Sequence, residues 1–389
     1  MASNNNSIKI NKSGNNKVNN NSSQGKNNNS LIGTIGNKLS ETASTVSSTV
    51  SGAIDITFGD AEARSSNIIF IIAGVLIFAI LILLFFFSKT ARVARALNTI
   101  SMYQNYQTVT SAEYLKYKSL ELKKFQIASS YNTGLVYNQM MDYTSEEIVL
   151  SVLQSGARYL EFNIFNSQFG KDAIPVVSNG YKTGEYQLTF NNITFESCCK
   201  IIKDNAFKQK VDDTGVPNHN DPLFIGLNLN TNNNIYCLDV MANIIIDYFR
   251  DKLLEHEYSF QQNNIADIKL KDMKQKIIIF SSSGFEGSNM EELVNASWDH
   301  KMMQRIHYSE LMLPGFNRQK LIDFNKKGIT IVVPHIEGDF YTENYDTNPA
   351  FKAGCQFVSL NYQYVDESID KYITKFKERC VIPKPRKIR

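Results

Sequence analysis

The sequence predicts an α/β protein, a closed TIM-like (β/α) barrel that follows a disordered N-terminal tail and one transmembrane helix. Three observations support this fold class: a polar tail over residues 1–66, an uninterrupted apolar run over residues 68–87, and an alternation of β-rich runs with helical segments after residue 118. Such alternation produces a parallel sheet covered by helices, and closure into a barrel is the natural solution at this length. An open doubly wound sheet is the alternative, but no glycine-rich phosphate loop follows the first predicted strand.

The N-terminal part of the chain predicts a membrane anchor. Residues 1–66 are mostly Asn, Ser, Lys and Gly, too polar to offset the entropy lost on folding, so they are predicted to be disordered. At about 1.5 Å per residue the apolar run spans roughly 30 Å, the thickness of a bilayer core, which predicts a transmembrane helix over residues 67–88. Lys89, Arg92 and Arg95 follow it, whereas acidic residues outweigh Arg64 before it. The positive-inside rule therefore places the C-terminal domain on the cytoplasmic or interior side of a single-pass membrane protein.

The amino-acid composition indicates which partners and which cellular compartment to expect. The chain carries 41 basic and 38 acidic residues, a formal net charge of +3 that does not indicate a nucleic-acid partner. Its cysteines show no CxxC spacing, so reduced thiols are expected rather than a disulfide framework or a zinc site: Cys198, Cys199, Cys237, Cys355 and Cys380. The abundance of Asn, Ile and Lys is typical of A+T-rich genomes, those of large DNA viruses and some protists among them. For a viral chain, the expected membrane is that of the virion or its host.

A helical stalk and then the barrel are predicted after the span. The stalk is expected over residues 89–117, where it sets the barrel, residues 118–380, off from the membrane, and a basic tail follows at 381–389. Strands are predicted at 125–128, 159–165, 174–177, 223–229, 276–280, 329–333 and 355–362. Helices are predicted at 144–156, 195–208, 235–256, 318–327 and 366–379, the first opened by a capping box of Thr144 and Glu147 and the fourth closed by Gly328. A polar loop, residues 281–295, separates two halves, 118–283 and 297–380.

Five segments resemble motifs of the phosphatidylinositol-specific phospholipases C. Residues 127–134 resemble the family's Ser-Ser-His-Asn-Thr loop, residues 155–163 its Gly-Cys-Arg and Glu-x-Asp strand, and residues 175–180 its strand ending in His-Gly. Residues 223–228 stand where the family has a strand ending in Ser-Leu-Glu, and residues 344–363 resemble its most recognisable run. The resemblance covers both halves. It implies a barrel of the phospholipase-C-like phosphodiesterase type with the lipid bilayer as a partner, through an anionic or inositol phospholipid.

The positions that the resemblance implies to be catalytic depart from the family. Its members cleave a lipid phosphodiester with two histidines, a general base on the inositol 2-hydroxyl and a general acid on the leaving group. Here these positions hold Tyr131 and Asn179. A tyrosine with a reference pKa of about 10 is a poor base at neutral pH, and an asparagine amide does not titrate in a useful range. Because each acid-base group contributes about 10²–10⁴-fold, the loss of both predicts an inactive barrel.

The implied calcium site is also altered. The family binds Ca²⁺ with an asparagine and three carboxylates, and the corresponding residues here are Asn132, Glu161, Asn163 and Asn228. Because a single anionic ligand remains, weak or absent Ca²⁺ binding is expected, so no cofactor is predicted unless activity persists. Glu161 has a second interpretation, a carboxylate that is hydrogen-bonded inside the barrel mouth near Arg158 and Asn132.

The implied headgroup positions have mostly lost their charge. The family's two phosphate-binding lysines and the arginine and tyrosine of its second half correspond to Phe280, Ser282, Ile331 and Val333. Ser309 keeps one hydroxyl that would face the headgroup. The C-terminal basic cluster, residues 384–389, either attracts anionic lipid or is a solvated tail.

Histidines elsewhere in the chain offer alternative sites. His335, Glu337 and Asp339 follow a predicted strand at the C-terminal face of the barrel, where barrel enzymes carry their chemistry, although a solvated loop is the commoner explanation. His300 and His307 lie seven residues apart and could share a helical face, but a surface role is the simpler interpretation.

Three functions follow from these features. The first is a membrane-anchored pseudoenzyme that binds an inositol lipid or a protein partner in the former substrate cleft without hydrolysis. The second is an active phosphoric diester hydrolase with a rebuilt active site, and the third is a structural membrane protein of a virion or organelle. The residues at positions 131 and 179 favour the first.

Overall fold

The computed structural model describes residues 62–106, 118–139, 142–179, 181–183, 186–212, 214–259, 263–335 and 343–389, together with Ser44, Thr45 and Ser48. Most of the predicted disordered tail and residues 107–117 of the predicted stalk lie outside the described residues. The chain divides into two compact units, Met1–Leu83 and Leu84–Arg389.

A single long helix, α1 (Glu62–Tyr106), contains the predicted membrane span. Within it, Ile68–Gln104 is the stretch among the described residues that is long and apolar enough to cross a membrane, by length and composition alone. Its most apolar window has a mean hydropathy of 3.5, and none of that window is buried. The helix is therefore a candidate membrane anchor.

The C-terminal part of α1 belongs to the second unit and packs along it. Ala96, Ile100 and Tyr103 lie on one face of the helix and are buried. Gln104 donates from Nε2 to the carbonyl oxygen of Ser151 at 3.1 Å and to the hydroxyl of the same residue at 2.9 Å. The described part of the predicted stalk thus lies against the barrel, because its apolar face is covered there.

The second unit is built from short strands and helices. Its strands are β1 (Phe125–Ser130), β2 (Tyr159–Asn166), β3 (Pro175–Ser178), β4 (Tyr181–Thr183), β5 (Tyr186–Leu188), β6 (Asn192–Thr194), β7 (Leu223–Asn230), β8 (Ile277–Ser281), β9 (Ala296–Ser297), β10 (Met303–His307), β11 (Ile329–Val333), β12 (Phe357–Leu360) and β13 (Val381–Pro383). Its α-helices are α2 (Glu146–Gln154), α3 (Phe195–Asn205), α4 (Ile235–Phe249), α5 (Tyr308–Leu311), α6 (Arg318–Phe324), α7 (Asn348–Lys352) and α8 (Glu367–Phe376). Single 3-10 turns lie at Leu122–Lys124, Arg250–Lys252, His256–Tyr258, Ile265–Asp267, Leu270–Met273, Asn289–Glu292 and Arg386–Ile388.

Eight of the strands form a nearly closed barrel in the order β10-β11-β12-β1-β2-β7-β8-β9. Every neighbouring pair in this order is parallel. The predicted TIM-like (β/α) barrel is therefore confirmed. We call the C-terminal ends of these eight strands and the loops that follow them the mouth, and the opposite end the base.

Two details of the sequence-based strand assignment are wrong. The run predicted at 174–177 is β3, which pairs antiparallel with β2 and β6 outside the barrel. Conversely, the sequence analysis does not predict β9 and β10, because β9 has two residues and β10 has the polar sequence Met-Gln-Arg-Ile-His. The arginine and histidine of β10 belong to the mouth, where polar side chains are tolerated.

Two predicted helix caps are also wrong. The first helix has Ser145 as its N-cap with no side-chain cap bond, so the capping box predicted at Thr144 is not formed. Gly328 follows a helix but does not adopt a left-handed backbone. Glycine is required here because the backbone of Met302 lies close by, and a Cβ at position 328 would be 2.7 Å from its carbonyl oxygen.

The barrel interior is layered along β2. Its floor is an aromatic cluster with ring centroids 5.0–6.3 Å apart: Tyr159, Phe224, Phe280 and Phe357. Glu161 and Asn163 follow Tyr159 on the same face of the strand, so a charged layer and then an amide layer lie above the floor. Gly226 pairs with Glu161, and a Cβ there would lie 2.1 Å from the Tyr159 hydroxyl. The close packing of the floor thus requires glycine at this position.

The C-terminal segment is part of the fold. β13 pairs antiparallel with β1, and Lys384, directly after it, is fully buried and donates from Nζ to the carbonyl oxygen of Asn325 at 3.2 Å. Burial lowers the pKa of the Lys384 ammonium group to about 7. The prediction of a solvated basic tail is therefore wrong for Lys384, although Arg386 and Lys387 are exposed.

The cysteines behave as a set of reduced thiols. All five are free and buried, which confirms the prediction from their spacing. Burial raises the pKa of Cys355 and of Cys237 to about 12. Since the thiolate is the reactive form, burial disfavours reaction of these side chains in the folded protein.

Candidate functional site at the barrel mouth

Tyr131 is the first residue after β1, and its side chain is buried in the mouth. Its backbone N–H donates to the carbonyl oxygen of Leu360 at 2.9 Å, which holds the chain at the end of β1. Burial raises the pKa of the Tyr131 phenol; nearby Arg305 opposes this shift and Glu161 adds to it. The phenol therefore stays protonated near neutral pH and is poorly suited to act as a general base.

Asn179 follows β3 and is also buried. Its Nδ2 donates to the carbonyl oxygen of Asn138 at 3.2 Å and to that of Gln139. Its backbone carbonyl oxygen accepts a hydrogen bond from Thr189 Oγ1 at 2.7 Å. The residue thus ties two loops of the mouth together, a role that needs an amide and no titratable group.

Five amide side chains form a continuous hydrogen-bonded relay across the mouth. Asn228 Nδ2 donates to Asn163 Oδ1 at 2.8 Å, and Asn163 Nδ2 donates to Asn132 Oδ1 at 2.6 Å. Asn132 Nδ2 donates to Gln139 Oε1 at 2.6 Å, and Gln139 Nε2 donates to Asn361 Oδ1 at 2.8 Å. Three of the four predicted calcium positions are therefore consecutive members of this amide relay.

The fourth predicted calcium position, Glu161, is a buried carboxylate whose two oxygens are both engaged. Arg305 of β10 donates from Nη2 to Oε1 at 2.8 Å, and the Tyr159 hydroxyl donates to Oε2 at 2.8 Å. The guanidinium also lies over the rings of Tyr131 and Trp298, 5.9 and 5.7 Å from their centroids. Burial by itself lowers the pKa of Arg305, but Glu161 together with Tyr131 and Tyr159 outweighs this effect, and the net pKa is raised. The guanidinium therefore stays charged beside the Glu161 carboxylate.

Arg158, which the sequence places near Glu161, lies at the base of the barrel. It precedes β2, and its guanidinium donates to the carbonyl oxygen of Ala206 at 3.0 Å and to that of Asn218. Arg305, not Arg158, is the partner of Glu161. The difference arises because Glu161 lies further along β2 towards the mouth, while Arg158 stays below the aromatic floor.

These contacts do not fit the calcium ion that the resemblance implies. Ca²⁺ takes about six to eight oxygen ligands, preferably with several carboxylates. Asn163 and Asn228 instead present N–H groups to neighbouring oxygens, and Arg305 already neutralises Glu161. Among the described residues, no group of three or more His, Cys, Asp or Glu side chains could hold a metal ion.

The implied headgroup positions are apolar or already engaged. Phe280 belongs to the aromatic floor, and Ile331 and Val333 are fully buried in β11. Ser282 Oγ accepts a hydrogen bond from the backbone N–H of Leu229 at 2.9 Å. None of these four side chains offers a positive charge to a phosphate.

Two histidines and a serine meet where β10 and β11 end. The rings of His307 and His335 are perpendicular, with centroids 5.8 Å apart, and Ser309 Oγ lies 2.9 Å from His335 Nδ1. His307 Nδ1 lies 3.2 Å from the carbonyl oxygen of Pro334, a contact in which the ring nitrogen is the donor. We call these three residues the histidine cluster.

The other histidine predictions have different outcomes. Glu337 and Asp339 lie outside the described residues. His300 lies 3.9 Å from Glu286, whereas His307 is the last residue of β10. The two histidines therefore do not share a helical face, because residues 303–307 form a strand.

Comparison with known proteins identifies the type of barrel. Residues 118–283 match the family described as phosphatidylinositol-specific phospholipase C, X domain. The barrel is phospholipase-C-like. The match supports the phosphatidylinositol-specific phospholipase C family and ends within the polar loop that was predicted to separate the two halves.

Three relatives cover more of the chain. The 1-phosphatidylinositol 4,5-bisphosphate phosphodiesterase 1 of Saccharomyces cerevisiae is 28% identical over an alignment 322 positions long, and the match covers 64% of this chain. The crystal structures of PLC21 from S. officinalis and L. pealei match with TM-scores of 0.58 and 0.57 at 21% and 20% identity, and each match covers 70% of this chain. The chain spans 34% of the yeast protein and 38% of each of the two other proteins, so it matches only about a third of their length.

Two residues of this phospholipase-C-like mouth escape sequence analysis. Arg305 lies in the strand that was not predicted, and Gln139 lies in the loop after β1. The alternation of Met303, Arg305 and His307 is a signal that β10 has one face with long side chains, and it could have identified Arg305. No pattern in the sequence distinguishes Gln139 from a solvated loop residue.

Proposed function

We propose that this protein is a membrane-anchored, phospholipase-C-like barrel that has lost phosphodiester hydrolysis and binds lipid at its mouth. The observation that carries the proposal is the amide relay, in which Asn132, Asn163 and Asn228 satisfy one another's hydrogen-bonding groups. Neutral hydrogen bonds stand where a calcium-dependent site requires carboxylates.

The positions of the family's two histidines give independent support. Tyr131 is buried, and its pKa is raised further above neutrality. Asn179 is committed to the loop at residues 138–139. Because general acid and general base each contribute about 10²–10⁴-fold, a barrel without either should turn over very slowly, even with substrate bound.

Exposed apolar side chains around the mouth support contact with lipid. They lie in loops or helix starts that follow β1, β2, β7, β10 and β12, and they are 36% to 64% exposed: Tyr137, Phe169, Ile174, Ile235, Tyr236, Met312, Leu313 and Val365. We call them the apolar rim. Exposed apolar side chains collected on one face are typical of membrane or protein contact. The candidate span in α1 would tether the barrel to a bilayer.

The mouth is suited to a ligand with uncharged hydrogen-bonding groups. The amide relay lines it with uncharged polar side chains, and the positive charge of Arg305 is already neutralised by Glu161. Within the proposal, the ligand is an inositol lipid whose headgroup meets the mouth, and a protein partner is the alternative occupant.

Phosphodiesterase activity on phosphatidylinositol in mixed micelles tests this proposal. The full chain is assayed with and without Ca²⁺, beside a quadruple variant with Tyr131→His, Asn163→Asp, Asn179→His and Asn228→Glu. We expect no Ca²⁺-dependent turnover from the natural chain and measurable turnover from the variant. Clear Ca²⁺-dependent turnover by the natural chain would overturn the proposal.

A second candidate function, an active phosphoric diester hydrolase with a rebuilt site, is favoured by the histidine cluster. His307 lies beside His335 with ring centroids 5.8 Å apart, and His335 is exposed beside Ser309. Histidines are the side chains that most readily exchange protons near neutral pH. Ca²⁺-independent turnover that disappears in His335→Ala would favour this candidate over the first.

A further inference from the structure

The helix that carries the candidate membrane span is joined to the mouth by an ion pair whose carboxylate is buried and whose guanidinium is partly exposed. Arg92 of α1 lies 3.2 Å from the carboxylate of Asp142, whose side chain is completely buried. We propose that Arg92 is a positioning residue that holds the loop between β1 and α2, so that docking of α1 on the barrel and order in the mouth are thermodynamically linked.

Asp142 is the anchor of this loop. Its carboxylate accepts the backbone N–H of Asn138 at 2.7 Å and that of Tyr143 at 2.7 Å, so the same side chain holds the loop at two points. Burial raises the pKa of Asp142, whereas the two N–H groups and Arg92 lower it. Arg92 is the cation that forms an ion pair with this carboxylate among the described residues.

From this anchor the contacts continue into the mouth. The carbonyl oxygens of Asn138 and Gln139 both accept from Asn179 Nδ2. The Gln139 side chain is a member of the amide relay between Asn132 and Asn361. A loop of a few residues therefore connects Arg92 to two positions that the sequence analysis assigned to catalysis and metal binding.

The rest of α1 does not depend on Arg92 for its position. Ala96, Ile100 and Tyr103 are buried against the barrel, and Gln104 bonds to Ser151. Loss of Arg92 should therefore loosen the loop without detaching the helix. Loss of Arg92 is costly because it leaves the buried Asp142 carboxylate without its cation.

Linkage of this kind is reciprocal. Whatever orders residues 138–139 and 142–143 also favours docking of the Arg92 end of α1, and the reverse holds by the same coupling free energy. The inference concerns only contacts inside the second unit. It holds whether the mouth hydrolyses a lipid, binds one or binds a protein.

Hydrogen exchange of the full chain in detergent micelles tests the first half of this inference. We compare Arg92→Ala with Arg95→Ala, a matched control because Arg95 is exposed on the same helix. In Arg92→Ala, we expect exchange of the amides in residues 131–139 to be roughly tenfold faster or more, with no change in β7 and β8. In Arg95→Ala, exchange should match that of the natural chain. Equal loop exchange in the two variants would overturn the proposal.

Asn179→Ala tests the reciprocal half. This change removes the tie between the loop and β3 without touching α1, and it should speed exchange in residues 89–96 of the helix. Unchanged helix exchange would overturn the linkage. If exchange in β7 and β8 also becomes faster in Arg92→Ala, the Arg92→Lys variant is measured instead, because lysine keeps the positive charge but has a shorter side chain. In Arg92→Lys, faster exchange of the loop amides while β7 stays protected supports the inference. Loop exchange equal to that of the natural chain overturns it.

Discussion

Asn163 donates a hydrogen bond to Asn132 at 2.6 Å and so joins the ends of β1 and β2 where the resemblance implies a metal ion. An amide side chain can act as donor and acceptor at once, so neighbouring amides satisfy one another without a cation. Carboxylates at the same positions would repel each other unless a cation lay between them. The contact therefore makes these positions part of the folded structure.

Replacement of Asn163 by alanine should destabilise the barrel. The change leaves Asn132 Oδ1 without its donor and Asn228 Nδ2 without its acceptor, and partly buried polar groups without partners cost about 1–3 kcal/mol. Denaturant unfolding of the chain in detergent measures the loss. Asn289→Ala is the control, since Asn289 is exposed. Equal losses in the two variants would show that the relay contributes no stability.

Removal of Arg305 should be more damaging. Arg305→Met leaves the Glu161 carboxylate buried without its cation, which costs about 3–5 kcal/mol of unfolding free energy. The double variant Arg305→Met, Glu161→Gln should recover part of this loss, because the uncompensated charge is gone. Lys371→Met, which breaks the exposed pair with Glu367 at 2.7 Å, should have no measurable effect. A small loss in Arg305→Met would contradict the buried ion pair.

Lys384 should make stability depend on pH. Its folded pKa of about 7 lies below that of the unfolded chain, about 10.4, so between these values the unfolded chain binds more protons. Stability therefore rises with pH across this window, by at most about 1.4 kcal/mol per pH unit, and the contribution is flat below it. Lys384→Met removes the titration. Unfolding free energies of both proteins between about pH 6 and pH 10 should converge as pH rises; a constant difference would refute the lowered pKa.

Lipid contact at the apolar rim can be measured with labelled cysteines. Leu313→Cys places a label in the rim, and Val211→Cys is matched in exposure, 59% against 60%, but lies in the connection before β7, at the base. Labelling should be selective because all five natural cysteines are buried. In nanodiscs, brominated lipid should quench a fluorophore at 313 and not at 211. Similar quenching at both positions would argue against a lipid-facing mouth.

The barrel is predictable from sequence because most of its strands are continuous apolar runs. β7 and β11 are buried from their first residues and carry the pattern expected of a covered parallel sheet. β10 is not predictable in this way, since Arg305 and His307 belong to the mouth. Comparison with the family's motifs, position by position, shows where the mouth has lost a charged residue. It does not show what replaces that charge, because Glu161 and Arg305 are separated by 144 residues and meet only when the barrel closes.

Calorimetric titration of Ca²⁺ into the purified full chain tests most directly whether the mouth has lost its metal site. The comparison is a double variant, Asn163→Asp with Asn228→Glu, which restores carboxylates beside Glu161. We predict no saturable binding to the natural chain up to about 1 mM Ca²⁺ and measurable binding to the variant. Saturable binding of Ca²⁺ to the natural chain that is abolished by Glu161→Gln would contradict the loss of the metal site.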